Sequence, residues 1–283
     1  LLIAQITDIH LGFAPDTPDE ENRQRLDAVL AVLAEGVNRP DLLIASGDLI
    51  DRGDGDSYRR FAGAIRACPF PVYPCLGNHD QRDTFAEVFP HVAMDDGFAH
   101  YCIALEGLRI VVLDTLEPGR QGGGFCAARA AWLAARLSEQ RSTPTIIVMH
   151  HPPFDAGIDW ISTREGEPWV RRFASTIAGH TQIAAIWCGH LHRPLVSRWH
   201  EVQVIVCPAT AAQLALDLRP IDPEQPDGRA MVTDDPPGYA LHRWQAGALV
   251  TYFDVVRPRA TYAKFDPALQ PLVLQIAAER AER

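Results

Sequence analysis

Asp8, His10, Asp48, Asn78, His150, His190 and His192 each carry a donor atom suited to a divalent metal, and each stands at or just past the end of an apolar run. Along the chain they occur as Asp-x-His, Gly-Asp, Gly-Asn-His-Asp, His-His-Pro and Gly-His-x-His. A set of carboxylate, amide and imidazole donors suits iron, manganese, zinc or cobalt. One chemistry such a set suits is phosphate ester hydrolysis, where the ester anion repels hydroxide and the unaided reaction is extremely slow. Two divalent cations about 3.5–4 Å apart can hold a bridging hydroxide, neutralise phosphoryl oxygens and stabilise the leaving oxygen. Any one of these pairs alone reads as an ordinary turn. Five in order, each after an apolar run, read as one site.

The elements that must position these groups are strands alternating with helices. Residues 1–6 and 42–45 read as strands, joined through a helical stretch at 23–36 with apolar Leu26, Val29, Leu30 and Leu33. Residues 58–67 read as a helix, and 71–76 as a strand running into Gly77-Asn78-His79-Asp80. A hairpin is expected over 101–105 and 108–113, ending in Asp114-Thr115. Residues 145–149 and 183–188 are apolar enough to be central strands, and 202–206, 239–244 and 248–255 add further strands. The glycines before Asp48, Asn78 and His190 let the chain turn sharply. The i, i+2 spacing of Asp8 with His10, and of His190 with His192, projects both side chains to one side of an extended backbone.

Composition sets the outer limits. With 283 residues, 47% hydrophobic and 22% charged, the chain can fold as one large domain, expected over 1–256. Within it, 216–238 is a Pro-rich acidic insert or lid edge. The extension 257–283 is expected to be helical, with Leu269, Leu272, Leu274 and Ile276 available to pack on the body or on a partner. A net charge of −10 disfavours bulk binding of nucleic acid and fits small phosphorylated substrates. Six scattered cysteines without C-x-x-C spacing read as reduced residues of a cytoplasmic protein. No apolar run is long enough to span a bilayer, and no charged-then-apolar leader opens the chain, although the missing Met leaves room for one removed. Gly122-Gly123-Gly124 lacks the Lys-Ser/Thr ending of a P-loop and reads as a flexible loop bordering the site.

The ordered motifs resemble the calcineurin-like metallophosphoesterases, over 1–256, and within them the bacterial cyclic-nucleotide and glycerophosphodiester phosphodiesterases. The resemblance implies a four-layer α/β/β/α sandwich with a dimetal site at one edge, and a possible homo-oligomer. It implies that Asp8, His10 and His192 bind the first metal, that Asp48 bridges both, and that Asn78, His150 and His190 complete the second. His150 rather than His151 matches the ligand position, two residues before the proline, leaving His151 structural. His79 resembles the histidine beside the scissile phosphate, with Asp80 expected to orient its ring, and Asp48, Asn78 and His79 form the catalytic set. Asn78, His79 and Arg52 are the candidate substrate contacts. The implied activity is hydrolysis of small phosphodiesters by in-line attack of the bridging hydroxide. A phosphomonoesterase on the same site is the near alternative. A nuclease would need a basic track, and a non-catalytic scaffold would have lost ligands. Residues 154–167 and 216–238 are expected to choose the substrate.

Overall fold

A computed structural model describes residues 1–14, 17 and 19–281. The first half repeats a strand, helix, strand rhythm: β1 (Leu2–Ile6), α1 (Glu21–Glu35), β2 (Leu42–Ser46), α2 (Gly55–Ile65), β3 (Val72–Cys75) and α3 (Arg82–Val88). The α1 positions Leu26, Val29, Leu30 and Leu33 are all buried, as their spacing requires. Each adds about 1.5–3 kcal/mol relative to exposure. Helix α2 starts at Asp54, whose carboxylate accepts from Ser57 N at 2.8 Å and satisfies a free amide of the first turn.

Then follow β4 (Tyr101–Leu105), β5 (Leu108–Leu113), α4 (Ala127–Glu139), β6 (Thr145–Met149), α5 (Pro168–Ile177), β7 (Ile183–Cys188), β8 (Leu195–Trp199) and β9 (Val202–Val206). The chain closes with β10 (Gln213–Leu214), β11 (Val232–Thr233), β12 (Gly238–Gln245), β13 (Ala248–Val255) and α6 (Gln270–Ala281). Strands β4 and β5 form the expected hairpin, with Leu105 opposite Leu108. The periodic reading did not single out α3, α4, α5 or β8.

Two large sheets result, ordered β13-β12-β1-β2-β3 and β4-β5-β6-β7-β9-β8. β1, β2 and β3 run parallel, as do β5, β6, β7 and β9. Side chains alternate across each strand, so successive residues enter different cores. Ile3, Leu42, Ile44, Ile110, Val112, Ile146, Val148 and Trp187 fill the space between the sheets. Ala4, Ile6, Leu43 and Ala45 instead meet α1, α2 and α3 through Leu26, Leu33, Phe61 and Phe85. Val111, Ile147, Met149 and Ile186 meet α4 and α5 through Leu133, Leu137, Trp169 and Phe173. Helices thus cover the outer face of each sheet. Among the described residues, no helix is long and apolar enough to cross a membrane. All six cysteines are unpaired; Cys75, Cys188 and Cys207 are buried, whereas Cys102 is exposed.

Beyond β13, residues 257–280 are nearly all exposed, including Leu272, Leu274 and Ile276 of α6. The segment 216–238 is tied to the turn 154–163 by the Asp159 carboxylate, which accepts from Ile221 N at 2.9 Å.

Candidate metal centre

The parallel strands of both sheets deliver their C-terminal ends to one edge of the sandwich. β1 leads to Asp8 and His10, β2 to Asp48, β3 to Asn78, β6 to His150, and β7 to His190 and His192. The turns are knitted together by their backbones. Asp8 N donates to Gly47 O at 3.0 Å, Ile9 N to Asp48 O at 2.8 Å and Gly189 N to His150 O at 3.0 Å.

The backbone there is unusual. Asp8, His10, Asp48, His190 and His192 all have left-handed φ, between 48° and 70°. Side chains rarely adopt this region, and each instance costs on the order of 1–3 kcal/mol that the surrounding structure must offset. The extended backbone expected at Asp-x-His and His-x-His is therefore corrected: alternate left-handed residues, not strand geometry, aim these groups. Close approach also explains two of the glycines. A methyl at Gly77 would collide with the Asp48 carboxylate and the His150 ring, and one at Gly189 with Thr7 and Asp8.

The seven side chains expected as ligands converge. His192 Nε2 lies 3.2 Å from Asp8 Oδ1 and 3.2 Å from His10 Nε2. His150 Nε2 lies 3.2 Å from Asp48 Oδ2 and 3.8 Å from Asp8 Oδ1. Asp48 Oδ2 is 3.7 Å from His10 Nε2, and His190 Nδ1 is 3.0 Å from Asn78 Oδ1. Asp8, Asp48 and His150 can offer atoms to one ion, and so can Asp8, His10 and His192.

Whether these residues fit metal ions is tested by their free nitrogens. His150 Nδ1 donates to Ser46 O at 2.9 Å, His192 Nδ1 to Ala212 O at 2.7 Å and His10 Nδ1 to the Asp51 carboxylate at 3.2 Å. These bonds fix the tautomer and turn each Nε2 lone pair inward. His10 and His192 then present lone pairs to each other, an arrangement that only a shared cation, proton or metal, makes favourable. His150 Nε2 is buried against the Asp48 and Asp8 carboxylates at 3.2 and 3.8 Å, and among the described residues no group meets it in hydrogen-bond geometry. The donor set fits.

Electrostatics agree. Burial opposes ionisation of Asp8, but His192 and His150 overcome it and bring the carboxyl down to about 2. Burial likewise opposes ionisation of Asp48, which His150, His10 and His79 hold well below the usual carboxylate range. In turn, burial disfavours protonated His150, while Asp48 and Asp8 raise it to about 9. Without metal, buried protons supply the positive charge the carboxylates require. His190 moves the other way, to about 3, through burial and the neighbouring His150.

His79 joins the centre from its rim. Its ring is about one-third exposed, its Nδ1 lies 2.9 Å from Asp51 O, and its backbone N donates to Asp48 Oδ1 at 2.8 Å. Asp80 does not orient it. The Asp80 carboxylate instead accepts from Gly77 N at 2.8 Å, Leu49 N at 3.2 Å and Tyr58 Oη at 3.0 Å, bracing the turn from behind. Burial and Asp48 push its carboxyl up to about 7. The carboxylate that faces the imidazoles is Asp51, 3.2 Å from His10 and 3.6 Å from His79, which the motifs did not single out. Its only signal was an acid three residues after Asp48.

Arg52 is not brought into the centre: its side chain is 60% exposed and sits 3.5 Å from Asp51. His151 is buried with both nitrogens engaged, Nδ1 by Thr115 Oγ1 at 2.9 Å and Nε2 by Gln121 O at 3.2 Å. Gln121, just before the three glycines, also accepts from Asn78 Nδ2 at 2.9 Å, so that loop borders the site. Asp114, at the end of β5, is committed to Arg82 at 2.7 and 2.8 Å.

The chain is similar to known proteins over most of its length. A probable glycerophosphodiester phosphodiesterase of Arcobacter nitrofigilis is 29% identical over 208 residues, covering 73% of this chain and 74% of that protein. A probable cyclic nucleotide phosphodiesterase of Synechococcus is 32% identical over 243 residues, covering 84% and 89%. Among solved structures, a purple acid phosphatase from yellow lupin shares the fold, with a TM-score of 0.59 at 12% identity over 90% of this chain and 51% of that one. The family model for calcineurin-like phosphoesterases matches residues 1–194, and the chain belongs to that family.

Proposed function

We propose that this protein hydrolyses small phosphodiesters at a two-metal centre built by Asp8, His10, Asp48, Asn78, His150, His190 and His192. The observation that carries the reading is the convergence of inward-facing nitrogens on Asp48 Oδ2, with His150 Nε2 at 3.2 Å and His10 Nε2 at 3.7 Å. Asp8, His10 and His192 would hold one ion, Asn78, His150 and His190 the other, and Asp48 both. When bound, two divalent cations supply Lewis acidity toward phosphoryl oxygens and a water acidic enough to act as nucleophile at neutral pH.

The chain supplies the rest. Ser46 O, Ala212 O and Asp51 hold the imidazoles rigid, so the ligand atoms need little reorganisation on loading. His79 spends its Nδ1 on Asp51 O, leaving Nε2 to bring a proton or positive charge to the departing ester oxygen. Asp51, between His10 and His79, couples the metal end of the site to the leaving-group end. Relatives described as cyclic nucleotide and glycerophosphodiester phosphodiesterases support a diester rather than a monoester. Six unpaired thiols suit work in a reducing cytoplasm.

The test is turnover of bis(p-nitrophenyl) phosphate with added Mn²⁺. Wild type should exceed Asp48→Ala by at least about a thousandfold, and outpace its own rate on p-nitrophenyl phosphate. Equal rates for wild type and D48A would refute the reading.

A further inference from the structure

A cavity of about 580 Å³ opens beside the metal centre and shares His10, Asp51, His79 and His192 with it. Its apolar wall is Phe13, Ala14, Ala211, Ala212 and Val232, and its polar wall includes Glu20, Glu21 and Asn22. No lysine or arginine is among its lining residues. Such a volume suits an organic group considerably larger than glycerol.

Phe13 is 66% exposed, and its backbone is hydrogen-bonded in place. Phe13 N donates to His10 O at 3.3 Å, directly behind a ligand histidine. On either side, Gly12 N and Ala14 N donate to the buried Glu20 carboxylate at 2.6 and 2.7 Å, and Arg60 pairs with Glu20 at 3.0 Å. Phe13 continues the apolar wall formed by Ala14, Ala211, Ala212 and Val232, and an apolar wall held on a braced turn beside a candidate catalytic centre is placed for a ligand. Asn22 gives one amide hydrogen to His10 O at 2.9 Å and keeps its carbonyl oxygen for a partner. Glu20 is taken up by the turn, and the other two carboxylates are paired, Glu21 with Arg25 at 3.2 Å and Asp51 with Arg52 at 3.5 Å, so the cavity offers an organic group apolar surface rather than free charge.

Resting on the diesterase reading, we propose that this cavity receives the organic group of the diester. Phe13 is its specificity-determining residue, selecting a neutral aromatic ring such as a nucleobase over glycerol. Val232 extends the apolar wall from the returning end of segment 216–238; nothing from 154–167 lines the cavity.

The test compares Mn²⁺-loaded wild type, Phe13→Ala and Phe13→Trp on 3′,5′-cyclic AMP and on glycerophosphoethanolamine, with metal content measured on each. Wild type should prefer the cyclic nucleotide. F13A should lower its kcat/KM relative to that for glycerophosphoethanolamine by about tenfold, chiefly through KM, and F13W should restore it. Calorimetric affinity for adenosine monophosphate should fall in F13A by a similar factor. An unchanged ratio in F13A, or a wild-type preference for glycerophosphoethanolamine, overturns the assignment of the cavity while leaving the diesterase reading intact. Wild type inactive on both, and on bis(p-nitrophenyl) phosphate, overturns the diesterase reading and this one with it.

Discussion

Asp48 faces His150 at 3.2 Å and His10 at 3.7 Å with one oxygen, and takes the His79 amide at 2.8 Å with the other. A carboxylate so placed can serve two ions while its second oxygen stays fixed by the backbone. Because Asp48 holds the His150 proton up to about 9, a metal must displace that proton to reach Nε2. Apparent metal affinity should therefore rise with pH and level off near 9, with proton release visible by calorimetry in buffers of different ionisation enthalpy. Asp51→Ala should weaken metal binding about 10–100-fold, since it removes the group that orients His10. Equilibrium dialysis with Mn²⁺ checks this, and unaltered binding would deny Asp51 that part. The metal-free protein should show a matching stability profile. His150 is raised above the ordinary histidine value of 6.5, so its stabilisation is complete below 6.5 and lost as pH climbs through about 9. His190 is depressed to about 3, so its neutral burial becomes a liability as pH drops below 6.5. Melting temperature without metal should consequently peak near neutrality and fall on both sides.

The turns carry information that the strands do not. Apolar runs before Asp8, Asp48, Asn78, His150 and His190 were legible because buried parallel strands need continuous hydrophobic sequence. The left-handed residues were not, since nothing in an Asp or His announces positive φ when neighbouring turns impose it. Asp51 and Asp80 show the same limit. Both lie in recognisable turns, yet only the folded approach of the loops after β2 and β3 sends Asp80 backward to Tyr58 and Asp51 forward to His10. Helices α4 and α5 do show a helical period, with Leu133 and Leu137 on the buried face of α4 and Trp169, Val170, Phe173 and Ile177 on that of α5, whereas α3, at seven residues, is too short to display one. At this scale, Gly77→Ala should be far more disruptive than an ordinary surface change. Its methyl would press on Asp48 and His150, costing about 1–3 kcal/mol by overpacking and most of the bound metal. Thermal melting and metal analysis together check it; full metal occupancy in G77A would contradict the packing described.

Across the molecule, the two sheets pack so that ligands separated by up to 184 residues, from Asp8 to His192, meet at one edge. The centre bridges both sheets, with β1, β2 and β3 on one side and β6 and β7 on the other. Metal binding should therefore stabilise the whole fold rather than one loop. Each site held at a hundred times its Kd adds about 2.7 kcal/mol, and chelation should reverse the gain. The most direct measurement is the anomalous difference map of a crystal soaked in manganese. Two peaks about 3.5–4 Å apart are expected, flanking Asp48 Oδ2, one reached by Asp8, His10 and His192 and the other by Asn78, His150 and His190. A single peak, or none between Asp8 and His192, would contradict the two-ion centre.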